Sequence, residues 1–193
     1  ELVARRTERT VNTGASDALA RQVIRLVDAA CAEVGVAPAS VQRVGVASCG
    51  PFVMRDGCVE LAAPNLCGGL AGPARGLPNS WTSAPLEAPL RERFAEVRVE
   101  NDCIAALEAE RRWGALQGLD HCAYVTWSTG IGMGLCVDGH VLRGKNGNAG
   151  HGGHMFVVDN DDALCGCGNV GDLEGLVAGN AMVRRFGVDA ADL

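Results

Sequence analysis

The sequence predicts a mixed α/β fold. Three observations carry that reading: an apolar stripe at helical spacing before a short apolar strand, a second strand running into a second helical segment, and strand pairs joined by Asp-Gly turns. From Ser16 to Val34 the residues Leu19, Val23, Leu26, Val27, Ala30 and Val34 recur every three or four positions. This predicts an amphipathic helix with Ser16 as N-cap and Gly35 as its stop. Arg43 to Ser48 reads as a short buried strand delivering Cys49, Gly50 and Pro51 at its end. Asp56-Gly57, between Phe52-Val53-Met54 and Cys58-Val59-Glu60, is hairpin chemistry, because the tight turn between twisted strands needs positive φ.

Between Ala62 and Pro89 the composition shifts to Pro, Gly, Asn and Ser, and Pro64, Pro73, Pro78, Pro85 and Pro89 interrupt any long helix. Irregular stretches of this length inside a domain are more often functional than idle. A helix around Leu86 to Ala95, a strand Val97 to Glu100 and a helix from Asp102 to Trp113 supply a second α/β unit. Gly114 and Gly118 mark a boundary. A strand Cys122 to Trp127 follows, then a turn through Gly134, a return strand Leu135 to Val137, and Asp138-Gly139 leading into His140 to Leu142. The expected organisation is a first domain over residues 1–117 and the start of a second over 118–193.

Composition narrows the function. The 193 residues are 48% hydrophobic but only 4% aromatic, so Ala, Val, Leu and Gly must fill the interior. With 17 basic against 23 acidic residues and no basic run, the segment is not expected to track a nucleic-acid backbone. No apolar stretch reaches the length of a membrane span, and the first residues lack the apolar core of a signal peptide, so no membrane partner is expected. The nine cysteines are odd in number, scattered and set in apolar runs, which favours a reducing cytoplasm.

Several residues could carry chemistry. Thr129-Gly130-Ile131-Gly132-Met133-Gly134 places glycines at alternate positions, leaving backbone N–H groups open to an anion, although hairpins use glycine in any case. Asn101-Asp102 stands between a strand and a helix, where the pair can be a cap or can hold an ionised carboxylate for proton transfer. His154, Cys165, Cys167 and Asp172 offer one imidazole, two thiolates and a carboxylate, a set that suits tetrahedral zinc, with glycines that let the loop curl. Glu174 fits either a ligand contact or the first turn of a helix.

The stretch from His151 to Glu174 resembles the signature of the ROK family (repressors, open reading frames and sugar kinases), a Glu-x-Gly-His followed by Cys-x-Cys-Gly-x-x-Gly-Cys-x-Glu. His151 stands at the first glutamate and Asp172 at the third cysteine. The resemblance extends from the first helix through Gly179-Asn180-Ala181. It implies a ribonuclease H-like, actin-like ATPase fold with the two lobes of a sugar kinase, incomplete at both ends. It also implies ATP-dependent phosphorylation of a hexose hydroxyl, most like the family's glucokinases.

In that scheme Asp102 is the general base, and Asn65, Asn101, Asp102, His151, His154 and Glu174 surround the sugar. Thr129, Gly130, Gly132 and Gly134 lie near phosphate. ATP comes with Mg²⁺, and structural Zn²⁺ sits on His154, Cys165, Cys167 and Asp172. A homo-oligomer is also implied. Asn65 matches through Ala63-Pro64-Asn65-Leu66, after which Cys67 to Ser80 lengthens the family's loop before Trp81. Family members open with an Asp-x-Gly-Gly-Thr phosphate loop that does not occur here, so a partial chain, inactive alone, is expected. The alternatives are a sugar-responsive repressor of the same family and a sugar-binding module without turnover.

Overall fold

The computed structural model describes residues 2–71, 76–158 and 163–189; Pro73 of the irregular stretch and the final residues 190–193 lie outside this set. The chain divides into two compact units, Glu1–Glu100 and Asn101–Leu193. Among the described residues no helix is long and apolar enough to cross a membrane.

In the first unit, α1 spans Ala18–Glu33 with Asp17 at its N-cap position, one residue later than expected. The Asp17 carboxylate makes no cap bond because it is drawn sideways to Arg21, one turn on, at 2.7 Å. Helix α1 contributes the buried Ala20 and the partly buried Leu19, Val23, Ile24 and Val27 to a core that also holds Phe52, Leu61, Leu86, Leu90 and Phe94. The strands β1 (Arg43–Ser48) and β5 (Glu96–Asn101) form one sheet. A second, antiparallel sheet has the order β2 (Phe52–Arg55), β3 (Cys58–Leu61), β4 (Ala84–Pro85), with Met54 opposite Val59 and Glu60 opposite Pro85. Asp56 and Gly57 both take positive φ, as the two-residue turn requires.

The one-turn helix α2 (Gly68–Ala71) lies within the irregular stretch. Asn79 organises it: its side-chain oxygen accepts from Gly68 and Trp81 N–H, while its amide donates to the Asn12 and Leu66 carbonyls. Gly68 is required there, since a Cβ would lie 2.1 Å from the Asn79 carbonyl oxygen. The same stretch lines an open cleft of about 830 Å³ with Arg55, Glu60, Asn79, Trp81 and Ser83, in which Ser83 donates to Glu60 at 2.6 Å. The next helix, α3, is confined to Glu87–Arg91, shorter than the Leu86 to Ala95 expected, because the chain turns at Arg93 to bury the Phe94 ring.

The second unit contains α4 (Asp102–Trp113), the antiparallel strands β6 (Cys122–Trp127), β7 (Ile131–Val137) and β8 (His140–Val141) in that order, then α5 (Leu173–Val177) and α6 (Gly179–Phe186). Strand β7 begins at Ile131, four residues before the return strand read from the sequence. Gly132 pairs with Thr126 and Gly134 with Tyr124, so both glycines are strand residues. Their missing side chains admit α4: a Cβ on Gly132 would lie 2.4 Å from the Cys103 Sγ, and one on Gly134 would lie 2.6 Å from the Cys103 carbonyl oxygen. Helix and strand therefore meet almost backbone to backbone at the N-terminal turn of α4.

This contact predicts an asymmetric pair of variants. Gly132→Ala is expected to lose about 1–3 kcal/mol of stability by overpacking and to cost little in a Cys103→Ala background, where the obstructing sulfur is gone. Gly134→Ala meets backbone and is expected to gain no relief from that background. Denaturant unfolding of the single and double variants measures both.

Candidate active site

The N-terminus of α4 is built by Asn101, whose side-chain oxygen accepts from the N–H groups of Cys103 at 3.0 Å and Ile104 at 3.3 Å. With the cap supplied by Asn101, Asp102 is left exposed in the first turn, its Oδ1 accepting from Cys103 N–H at 2.9 Å. The neighbouring Cys103 thiol is pushed up to about 12 by burial, reinforced by the Asp102 charge and hydrogen bond. It stays protonated and packs; it is not a nucleophile.

A glycine-rich segment brings the histidines to β7. Gly150 takes φ +81°, and a Cβ there would lie 2.3 Å from the Met133 carbonyl oxygen. At Gly153 a Cβ would lie 2.2 Å from the Ile131 carbonyl oxygen. Only glycine lets the short 3-10 turn Gly152–His154 press so close to the strand. His151 and His154 stack with ring centroids 6.0 Å apart. Burial lowers the His151 pKa, aided by His154 and opposed by the Glu174 and Asp102 charges, which places both carboxylates within electrostatic reach of this ring. The His151 Nε2 is buried with no hydrogen-bond partner among the described residues.

Downstream, two single bridges, Phe156 to Asp172 and Leu164 to Val170, close a small knuckle. Cys165 N–H donates to the Asn169 carbonyl, Gly168 N–H returns to the Cys165 carbonyl, and Gly168 turns at φ +95°. This curls the chain so that Cys167 N–H points at the Cys165 sulfur at 3.5 Å. The donor atoms of His154, Cys165, Cys167 and Asp172 all lie within 4.8 Å of one another. His154 Nδ1 is 3.2 Å from Asp172 Oδ2 and 3.6 Å from the Cys165 sulfur, and the Cys167 sulfur is 3.3 Å from Asp172 Oδ2. Metal bonds of about 2.0–2.3 Å put the donors of a tetrahedral zinc roughly 3.3–3.8 Å apart; the three separations above are near that range, and the full set, within 4.8 Å, can hold such an ion by drawing in slightly.

Asp172 does two things at once. Its Oδ1 caps α5 by accepting from Gly175 N–H at 2.7 Å, while Oδ2 faces the imidazole and thiol. Burial raises its pKa, but the Gly175 N–H together with the Cys165, His154 and Cys167 contacts outweighs burial, and the net shift is downward. The Cys165 thiol is driven upward, chiefly by burial, so metal uptake there displaces a proton. With Nδ1 of His154 turned to the cluster, Nε2 is on the other side of the ring, available to a second partner.

Glu174 ties the knuckle to the β6–β7 turn. Its Oε2 accepts from Ile131 N–H at 2.9 Å, and its Oε1 is 3.6 Å from the Cys165 sulfur. Thr129 is exposed and Gly130 half-buried in that turn, where a Cβ on Gly130 would lie 2.6 Å from Glu174 Oε2. Two residues to which the sequence assigned no role hold the turn from its other side: Gly179 N–H donates to the Ser128 carbonyl at 2.8 Å and Asn180 N–H to the Thr129 carbonyl at 3.1 Å. Nothing marks this role in the sequence except a glycine at the start of α6. The second unit thus gathers Asn101, Asp102, His151, His154, Glu174 and the turn through Gly130. Gly132 and Gly134 lie deeper in β7 against α4, and Asn65 is an exposed turn residue of the first unit.

The model of the ROK family matches residues 2–193, and the chain belongs to that family. It is 36% identical over 169 residues to a glucokinase of Pyrobaculum calidifontis, covering 85% of this chain and 51% of the relative. With a glucokinase of Aeropyrum pernix it shares 31% over 184 residues, 94% of this chain and 52% of the relative. A xylose repressor of Bacillus subtilis is 35% identical over 111 residues, 56% of this chain and 29% of that protein.

Among solved structures, a ROK hexokinase from Thermus thermophilus aligns with a TM-score of 0.67 and 31% identity, over 100% of this chain and 60% of that one. A ROK family glucokinase from Streptomyces griseus in complex with glucose and AMPPNP aligns with a TM-score of 0.66 and 32% identity, over 91% and 49%. The mixed α/β fold is that of the actin-like ATPase class to which these ROK sugar kinases belong. The chain spans about half the length of the curated relatives it matches.

The double role of Asp172 yields a test of the cluster. Zinc is expected to raise the melting temperature of the wild type by binding the folded state. Asp172→Asn keeps an oxygen for the Gly175 N–H and is expected to lose most of that rise while folding normally. Asp172→Ala loses the cap as well, at a further cost of about 1 kcal/mol. Thermal melts with and without zinc, alongside metal analysis of the purified proteins, distinguish the two losses.

Proposed function

We propose that the protein is an ATP-dependent sugar kinase that phosphorylates a hexose hydroxyl, most like a glucokinase, with Asp102 as the general base. The observation that carries this reading is the gathering of an exposed carboxylate at a capped helix N-terminus with His151 and Glu174, beside a knuckle that can hold a metal. The glucokinases among the relatives and the neighbour solved with glucose and AMPPNP support it.

In this reading the sugar hydroxyl hydrogen-bonds to the Asp102 carboxylate. As the oxygen attacks the γ-phosphorus its proton passes to Asp102, the bond from γ-phosphorus to the bridging oxygen breaks, and ADP leaves with that electron pair. Mg²⁺ enters with ATP as part of the substrate. Asn101 positions the base through the α4 cap, and His151, the Nε2 of His154 and Glu174 orient the sugar hydroxyls. In this reading the N–H groups of Thr129 and Gly130 in the β6–β7 turn serve as backbone donors to phosphate. Zinc held by His154, Cys165, Cys167 and Asp172 would supply no reacting group; it would hold the His154 ring and the segment leading to Glu174 in place.

The xylose repressor match favours one other reading, a sugar-responsive regulator. The protein carrying this chain, assayed with ATP against a hexose panel, separates the two. Turnover is expected, and Asp102→Asn is expected to lower kcat by about 10²–10⁴-fold with the sugar Kd little changed. Sugar binding without ATP consumption in the wild type supports the regulator, and full activity in Asp102→Asn removes the base assignment.

A further inference from the structure

Away from the metal cluster, β6 and β7 carry a second pair of cysteines. Cys122 and Cys136 are directly opposite one another in the antiparallel register. Opposed residues on such a pair share a face of the sheet, with Cα atoms about 4.5 or 5.5 Å apart according to the hydrogen-bonding pattern. Both separations fall inside the roughly 4.4–6.8 Å that a disulfide accepts. Both cysteines are free thiols. The Cys122 sulfur lies 3.8 Å from the Leu119 carbonyl oxygen and the Cys136 sulfur 3.4 Å from the Asp120 carbonyl oxygen, so consecutive carbonyls aim the two thiols at the same end of the sheet. Cys136 is buried and Cys122 half-buried, which makes Cys122 the point of entry. The Cys136 thiol is raised chiefly by burial, opposed by the Arg111 cation from α4 and reinforced by the Cys122 thiol beside it.

We propose that Cys122 and Cys136 form a cross-strand dithiol site that reacts with low-molecular-weight disulfides and closes into an intramolecular disulfide. The chemistry is two exchanges. The Cys122 thiolate attacks one sulfur of the external disulfide and expels the first small thiol, giving a mixed disulfide on Cys122. The Cys136 thiolate then attacks the Cys122 sulfur, forming the protein S–S bond and expelling the second small thiol. The protein pair gives up two electrons and two protons, and the external disulfide is reduced to two thiols. Proximity makes the second step intramolecular and fast, so the mixed disulfide does not accumulate. This site is independent of the kinase reading, since neither cysteine belongs to the Asp102 cluster.

The sequence provides a clean readout. No Lys or Arg lies between Trp113 and Leu142, so trypsin releases both cysteines, and no other cysteine, in one peptide ending at Arg143. The native protein is incubated with oxidised glutathione, quenched with acid to stop thiol exchange, transferred into denaturant with excess alkylating agent at mildly alkaline pH, and mapped by mass spectrometry. The expected peptide is two hydrogen masses lighter, carries no glutathione and no alkyl group, and regains two alkylation sites after reduction. Cys136→Ser is expected to leave a stable glutathione adduct on Cys122. A glutathione adduct that persists on the wild-type peptide overturns the proposal. So do two alkylatable thiols there under conditions that modify the exposed Cys49.

Discussion

Strand β7 is the surface on which the second unit is assembled, and everything important approaches its backbone where a side chain is missing. Helix α4 reaches it at Gly132 and Gly134, the histidine segment at Gly150 and Gly153, and Glu174 at Gly130. At each point a Cβ would sit well inside normal contact distance of a backbone atom or of a side chain that the site needs. The alternation of glycines is therefore first a packing device. It sets how near the α4 N-terminus, with Asn101 and Asp102, can lie to the segment carrying His151 and His154.

The knuckle adds a second layer of positioning. Asp172 joins a helix cap to a metal-type donor, using one oxygen for each, which a thiol at this position does less well because sulfur is a weak acceptor for N–H. The same short stretch ends in Glu174, whose carboxylate holds the Ile131 N–H. A change in the knuckle is thereby felt at the β6–β7 turn through a single side chain. The His151 Nε2, without a partner among the described residues, stands in this neighbourhood, and a buried ring nitrogen left so is expensive unless a ligand supplies one.

Much of the fold was legible because local chemistry and tertiary structure agree. Helix α4 runs from Asp102 to Trp113 and β6 from Cys122 to Trp127, with the ends read from pattern alone. Both Asp-Gly turns adopt the positive φ their composition demanded. The disagreements have local causes. Ser16 yields the N-cap position to Asp17, whose carbonyl accepts the first helical N–H from Arg21, and α3 is cut short by the burial of Phe94. The start of β7 was misplaced because Gly132 and Gly134 look like turn residues until the helix that needs their bare backbone is known.

By itself the sequence determined the donor set, the capped helix start and the alternation of strands and helices, since these follow from residue type and spacing within one element. Tertiary structure alone decided which glycines serve close packing and which serve the turn, that Asp172 divides its two oxygens, and that Cys122 faces Cys136. Those facts depend on register and on approach between segments far apart in the chain, and no local pattern encodes the distance between two backbones.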